Sequence, residues 1–330
     1  MIFPPPAGEV FVIAEIGINH EGSVETCVRM IDVAMAAGAD AVKLQTIDPD
    51  KNYVRGTESH AIFSQACLNQ EQTAEVFAYA RTCGIACFTT VGDFETLEWI
   101  NRLEPVAHKI SSGLLTHTAL IQQAAATGRP IILSTGMSDG TEIGAALVAV
   151  AGQAPAILLQ CTSIYPVPED SINLRAIGWM AERFGVPCGF SDHSLGTDVA
   201  SMAVAAGAMC IEKHLTLDPS RAGFDHPISL GPQQFAQMVD SIRRTQLILG
   251  VAGKPLTGDL RQARERYLRC VVANEPIPAG TPLSVENMAV KRPLPDRRGI
   301  AADQYKAVLG RRALVDIEAD EPITPSSIED

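Results

Sequence analysis

From residue 10 to about residue 250 the chain alternates short β-rich runs with longer Ala-rich helical stretches, and this alternation repeats eight times. The runs are Val10–Glu15, Ala41–Gln45, Ile85–Thr89, Ala107–Ser111, Ile131–Ser134, Ala156–Cys161, Pro187–Ser191 and Met209–Lys213. Between them lie helical patterns such as Ser23–Ala37, Glu71–Cys83, Thr116–Thr127 and Thr197–Ala206. Gly38, Gly84, Gly128 and Gly207 stand just past helix ends, where a left-handed cap favours glycine. A helix after every strand makes neighbouring strands parallel. Eight such units predict an α/β (β/α)₈ TIM barrel. The alternative is an open doubly wound sheet, but no GxGxxG follows the first run, so that fold's phosphate turn is missing.

The pattern changes after Gly250. Residues 251–268 are polar and basic, with Arg261, Arg264 and Arg266, and read as a linker. From Arg269 short runs alternate with Pro/Gly turns: Cys270–Ala273, Pro278–Gly280, Met288–Val290 and Ala313–Asp316. The division predicted is a catalytic barrel over 1–250, a linker over 251–268 and a small β-rich domain over 269–330. The last is too small to carry chemistry comfortably alone.

Hydrophobic residues make up 46% of the 330 and aromatics 5%, which suits an Ala/Val/Ile-rich α/β core. A net charge of −12 argues against a nucleic-acid partner. No apolar run reaches the roughly 20 residues that span a bilayer. MIFPPPAGEV at the start has no basic stretch ahead of an apolar run, so no signal peptide is expected. The eight cysteines form no CxxC pair and most sit in apolar runs, as buried free thiols would. A cytoplasmic metabolic protein is expected. An acidic protein that binds an anion must gather its few cations at one place, which makes isolated lysines informative.

Barrel enzymes work at the C-terminal ends of their strands. Those ends here carry Glu15, Asn19 and His20; Lys43 and Gln45; Thr89 and Thr90; Lys109, Ser111 and Ser112; Gln160, Thr162, Ser163 and Tyr165; Ser191, Asp192 and His193; Glu212, Lys213 and His214. Strand alternation puts Lys43 with Gln45, Ser191 with His193, and Glu212 with His214 on one face, and turns Lys213 to the other, where a structural salt bridge is expected. Two lysines beside hydroxyls suit a small dianion or trianion; barrel-end ion pairs are the alternative. His193 and His214, ending adjacent strands, suit an open site for a divalent ion; plain polar side chains are the alternative. His20 and His226 lie on loops and are weaker candidates. His60, His108 and His117 are left as structural or exposed.

At these residues the chain resembles the N-acetylneuraminate (sialic acid) synthase family, which includes legionaminic and pseudaminic acid synthases. The matching segments are AEIGINHEGS (14–23), GADAVKLQT (38–46), HKISSG (108–113), GRPIILSTGM (128–137), CTSIYPVP (161–168), GFSDHSLG (189–196), IEKHLTLD (211–218) and VKRP (290–293). The resemblance implies a TIM barrel with a C-terminal antifreeze-like (SAF) domain, in a domain-swapped homodimer. It implies condensation of phosphoenolpyruvate with an N-acylated amino-sugar aldehyde, N-acetylmannosamine or a 2,4-diacetamido-trideoxyhexose, to a nonulosonic acid with release of phosphate. On matching positions, Lys43, Thr90, Lys109, Ser112, Ser163 and Ser191 would hold phosphoenolpyruvate. Gln45, Tyr165 and Asp225 would contact the sugar, with Arg292 reaching from a partner copy. His193 and His214 would ligate Mn²⁺ or Mg²⁺. Glu15 and Glu212, with the two lysines, would serve the chemistry.

Four positions depart from the family pattern. The usual Ser-Thr-Pro-Phe after the third strand is Thr89-Thr90-Val91-Gly92. The Gly-Glu after the fourth is Gly113-Leu114, which removes a carboxylate. A His on the sixth strand is Gln160, and an Asn is Ser163. Three other readings stay open: a Schiff-base pyruvate aldolase using Lys43 or Lys109, a non-catalytic sugar- or phosphate-binding protein on the same scaffold, and a synthase joining phosphoenolpyruvate to a pentose or tetrose phosphate, against which stands the lack of a spare Arg/Lys cluster at the mouth beyond Arg221 and Arg292.

Overall fold

The computed structural model describes Pro5 and residues 8–330. The expectation drawn from MIFPPPAGEV falls largely outside the described residues. Two compact units divide the chain, Met1–Val251 and Ala252–Asp330.

In the first unit, β1 (Phe11–Gly17), β2 (Ala41–Gln45), β3 (Ala86–Thr90), β4 (His108–Ile110), β5 (Ile131–Ser134), β6 (Ala156–Gln160), β7 (Cys188–Asp192) and β8 (Cys210–His214) close into a barrel in sequential order. All neighbours are parallel, and β1 closes the ring on β8 with Glu15 opposite His214. The helices are α1 (Val24–Ala36), α2 (Pro49–Asn52), α3 (Glu58–Ala66), α4 (Gln70–Cys83), α5 (Phe94–Asn101), α6 (Thr118–Ala125), α7 (Gly140–Val150), α8 (Arg175–Phe184), α9 (Asp198–Ala205) and α10 (Pro232–Leu249). Ser23, Asn69, Asp93 and Asp139 cap α1, α4, α5 and α7 through their side chains, satisfying amides that a helix start leaves free. The barrel expectation is met. The sequence reading assigned no element to residues 46–70, where α2 and α3 lie.

Strand alternation splits the apolar residues into two cores. Val12, Ala14, Val42, Leu44, Ile131 and Leu133 face the helices. Phe11, Ile13, Ala41, Phe88, Ala107, Ile132, Ile157, Leu159 and Cys210 alternate with them and fill the barrel. Gly189 belongs to the inward set. A Cβ there would press on the Cys210 carbonyl and on Leu159, whose Cδ2 would stand 2.7 Å away, so only glycine lets the layer close. One step further along the same inward face stand Glu15, Lys43, Thr90, Lys109, Ser134, Cys161, Ser191 and Glu212. The barrel is therefore apolar below and polar at its C-terminal mouth.

In the second unit, β9 (Cys270–Ala273) pairs antiparallel with β10 (Met288–Lys291) over a core of Val271, Ile277, Leu283, Met288, Ile317 and Ile323. α12 (Tyr305–Val308) follows β10, after the helix α11 described next. Residues 258–267, read as part of a linker, form α11 (Gly258–Tyr267), capped by Thr257. Pro278–Gly280 and Ala313–Asp316, read as strands, are not. In and beside them stand isolated bridges, Ile277 to Ile317, Pro282 to Arg312 and Ala313 to Ile328, and prolines such as Pro278 lack the N–H that a continuous ladder needs. No described helix is long and apolar enough to cross a membrane. All eight cysteines are unpaired.

Candidate active site

The barrel mouth holds a cavity of about 500 Å³. Twelve of the predicted site residues line it: Lys43, Gln45, Thr90, Lys109, Ser112, Ser163, Tyr165, Ser191, His193, Glu212, His214 and Asp225. Glu15 lies just beneath, in contact with Lys43 and Gln45. Arg292 lies in the second unit, its guanidinium 4.8 Å above the Tyr267 ring.

The floor is a chain of alternating charges. Lys43 Nζ is 2.5 Å from Glu15 Oε2 and 3.2 Å from Glu212 Oε1, and Lys109 Nζ is 3.4 Å from that same Glu212 oxygen. Ser191 donates to Glu212 Oε1 at 2.9 Å. Burial works to raise the Glu212 carboxyl, but the ammonium groups of Lys109 and Lys43, with the Ser191 hydroxyl, outweigh it and hold the carboxyl below its ordinary range. Burial pulls Lys43 down to about 7, against the pull of Glu212 upward and with the help of Lys109. The ion-pair reading of the lysines is therefore met: both are paired with carboxylates, and both also line the cavity.

Beside this network stand the two imidazoles, ring centroids 5.7 Å apart. His193 Nδ1 lies 3.0 Å from the Thr162 carbonyl, which only accepts, so Nδ1 carries the proton and Nε2 keeps its lone pair. Burial lowers His193, and burial together with the charges of His193 and Lys43 takes His214 well below the ordinary imidazole value. Both shifts favour the neutral imidazole, the form that ligates metals. His214 Nδ1 and Glu212 Oε2 are buried without a hydrogen-bond partner, and His214 Nδ1 sits 3.4 Å from Asp225 Oδ2. Among the described residues no group of three His, Cys, Asp or Glu converges as a ready-made cage. The donor set is an open one of two neutral imidazoles. Tyr165 stacks on His193, centroids 4.2 Å apart. Burial raises Asp225 to about 6, against Lys43.

The other histidines do not join the site. His226 is bound between Thr216 Oγ1 and Glu21. His20 accepts from the Gly22 amide. Lys213 faces away, as expected, and makes a fully buried ion pair with Asp192 at 3.0 Å. Asn19, on the rim list without a role, donates to the Leu215 carbonyl and Ser229 and accepts from the Asp225 amide, which holds the loop that presents Asp225.

The departures resolve differently. Leu114 packs against the helix-facing core and contributes nothing polar to the cavity. Gln160 donates to the Ile172 carbonyl and does not line the barrel-mouth cavity. Ser163 stays on the lining. Ser112 accepts from the Gly136 amide at 3.0 Å. A Cβ on Gly136 would meet Ser163 Oγ, Cys161 Sγ and Ser112 Oγ within 3 Å, so these side chains would have to turn from their present positions to admit it. Sequence reasoning missed Ile18, Tyr53, Ile62, Phe63, Met137, Cys161 and Phe224 as lining residues. The only local signals were the helix caps Asp48 and Thr57, which mark α2 and α3.

The model of the NeuB family matches residues 30–254 and that of the SAF domain residues 269–329. An uncharacterized protein of Methanocaldococcus jannaschii, MJ1065, is 37% identical over 315 residues, 95% of this chain and 93% of that protein. A pseudaminic acid synthase of Campylobacter jejuni is 33% identical, over 96% of each. The crystal structure of N-acetylneuraminic acid (sialic acid) synthetase from Leptospira borgpetersenii in complex with citrate superposes with a TM-score of 0.75 at 32% identity, covering 78% of this chain and 90% of that one.

Proposed function

The chain belongs to the NeuB family, and on that premise we propose that it condenses phosphoenolpyruvate with the open-chain aldehyde of an N-acylated amino sugar, releasing phosphate and a nonulosonic acid. The observation that carries this reading is the Glu15–Lys43–Glu212–Lys109 network on the floor of a cavity that also holds two neutral imidazoles.

Phosphoenolpyruvate brings a carboxylate and a phosphate a few ångströms apart. Lys43 and Lys109 supply matching point charges that need no fixed donor geometry. Thr90, Ser112, Ser163 and Ser191 add hydroxyl donors around them. Held so, carbon 3 of the enol attacks the aldehyde carbon; the C–C bond forms as the enol and carbonyl π bonds are consumed, and the former aldehyde oxygen takes up a proton equivalent to the one lost by the water that adds at carbon 2. Water adds at carbon 2, and the bond between carbon 2 and the phosphate oxygen breaks, so phosphate leaves with that oxygen. Glu15 and Glu212 stand beside the lysines and hold their ammonium groups in place under the bound anion. Gln45, Tyr165 and Asp225 line the space left for the sugar. His193 and His214 would hold Mn²⁺ or Mg²⁺, which supplies Lewis-acid polarisation of the acceptor carbonyl when bound.

A cytoplasmic homodimer in which Arg292 of the partner subunit grips the N-acyl group is part of the proposal. Mixing inactive Arg292→Ala subunits with inactive His193→Ala subunits should restore activity if the residues act across copies.

A second reading has one observation in its favour: an amine lowered to about 7, as Lys43 is, can form a Schiff base with pyruvate. Borohydride with pyruvate would then attach a three-carbon adduct to Lys43. The synthase reading is tested by mixing phosphoenolpyruvate, Mn²⁺ and a panel of N-acylated hexosamines, and following phosphate and product mass. No phosphate from any acceptor, with a borohydride adduct on Lys43, would replace it by the aldolase.

A further inference from the structure

A second cavity, of about 680 Å³, lies beside the barrel mouth, between the start of α7 and the start of α8. Its floor is buried: Ile143 from α7, Met180 from α8, and Thr135, Gln160 and Cys161 at or just past the ends of β5 and β6. Cys161 and Met137 belong to the linings of both cavities. None of the residues assigned above to the donor, the sugar or the metal lines the second one.

Its rim carries a free cation and an aromatic platform. Arg175 opens α8 and has no carboxylate or hydrogen-bond partner among the described residues. Trp179 follows one turn later on the same helix face. Its ring stands edge-on to Phe184, centroids 5.8 Å apart, and lies so close over Gly140 that a Cβ there would come within 2.9 Å of Trp179 Cη2. The indole is thus set by packing, yet 49% exposed. Unmet polar groups surround it. Gln160 is more than nine-tenths buried; it donates to the Ile172 carbonyl, while its side-chain oxygen has no partner among the described residues. The side chains of Ser138 and Asn173, also on the lining, have none either.

These groups select one chemistry. A single guanidinium fork matches a single carboxylate, whereas a phosphate dianion would keep an unpaired charge in a cavity that also holds Asp139. The indole face, negative at its centre, favours the polarised C–H bonds of a sugar ring. The buried Gln160 oxygen calls for a donor, and Ser138 and Asn173 can each give or accept a hydrogen bond, so an aromatic acid without hydroxyls would leave all three unmet. We propose that this cavity is a binding site for a small sugar carboxylate, its ring on Trp179, its carboxylate on Arg175 and a hydroxyl donating to Gln160. The nonulosonic acid of the synthase reading belongs to this class, but binding here does not depend on that reading.

The chain has two tryptophans, so in a Trp99→Phe protein the emission reports on Trp179 alone. N-acetylneuraminate and glucuronate are titrated as probes, with saturating phosphoenolpyruvate present to fill the barrel mouth. At least one should change the emission saturably. N-acetylmannosamine, which lacks the carboxylate, and benzoate, which lacks the hydroxyls, should bind at least about tenfold more weakly. Arg175→Ala should weaken the probe by about tenfold or more, and Lys109→Ala should leave it unchanged. Titration calorimetry on the chain with both tryptophans gives the same comparison if Trp99→Phe does not fold. Binding that survives Arg175→Ala, or that phosphoenolpyruvate or Lys109→Ala removes, belongs to the barrel mouth and overturns the inference. Equal binding of N-acetylmannosamine or benzoate, or no binding of either probe up to about 10 mM, overturns it too. The synthase reading stands or falls separately, on phosphate release.

Discussion

Replacing Lys213 by Met tests how the two imidazoles are held at their spacing. Lys213 and Asp192 are fully buried, 3.0 Å apart, on the helix-facing side of β8 and β7. Lys213 also donates to the Ser194 carbonyl, and Asp192 Oδ1 accepts from the Ser194 amide and hydroxyl. The residues before and after them, Ser191 and His193, Glu212 and His214, all line the site. The pair thus clamps together the two strand ends that carry the imidazoles. Lys213→Met keeps most of the volume but strands the Asp192 carboxylate in a dry interior, which costs about 3–5 kcal/mol. For a unit of this size that lowers Tm by about 6–20 °C, at about 2–4 °C per kcal/mol. Adding Asp192→Asn removes the stranded charge while keeping an acceptor for Ser194, so the double variant should regain about half the loss or more. Thermal and urea unfolding measure both variants. Mn²⁺ titration should show weaker binding in the single variant than in the double. A single variant that loses under about 1 kcal/mol, or a double no more stable than the single, would refute the reasoning.

His214→Ala removes one of two neutral donors and should abolish Mn²⁺ stimulation of phosphate release; full activity of the variant in chelator would defeat the metal assignment. The depressed Lys43 carries a pH dependence whose sign is set. On the synthase reading its ammonium form would hold the anion; that form predominates below about 7 in the free protein, so affinity for phosphoenolpyruvate should fall as pH rises above that value, by up to tenfold per unit. Titration calorimetry from pH 6 to 9 measures this, and a flat profile would contradict it. Gly136→Ala places a methyl against Ser112, Cys161 and Ser163 and should raise the KM for phosphoenolpyruvate by about tenfold or more with little change in Tm. An unchanged KM would remove those hydroxyls from the donor site.

The sequence alone disclosed the barrel because its evidence is local. Hydrophobic periods of 2 and 3.6, N-caps such as Asn69 and the left-handed glycine at Gly84 are properties of a few neighbouring residues. Inward and outward positions follow from the same alternation, which separates Lys43, Ser191 and Glu212 from Lys213. The second unit was less legible. Its strands are too short and too interrupted by proline to carry a period, and the polar helix α11 has no buried residue to mark one face.

What periodicity could not convey was the interaction between strands distant in sequence. Glu15, Lys43, Lys109 and Glu212 come from four strands spread over two hundred residues, and only closure of the ring makes them one charged network. The depressed Lys43 amine, the neutral His214 and the cavity lining from α2, α3 and the loop after β8 depend on burial and on neighbours brought from afar. Local order along the chain set which residues face inward; desolvation and Coulomb contact across the closed barrel set what those residues can do.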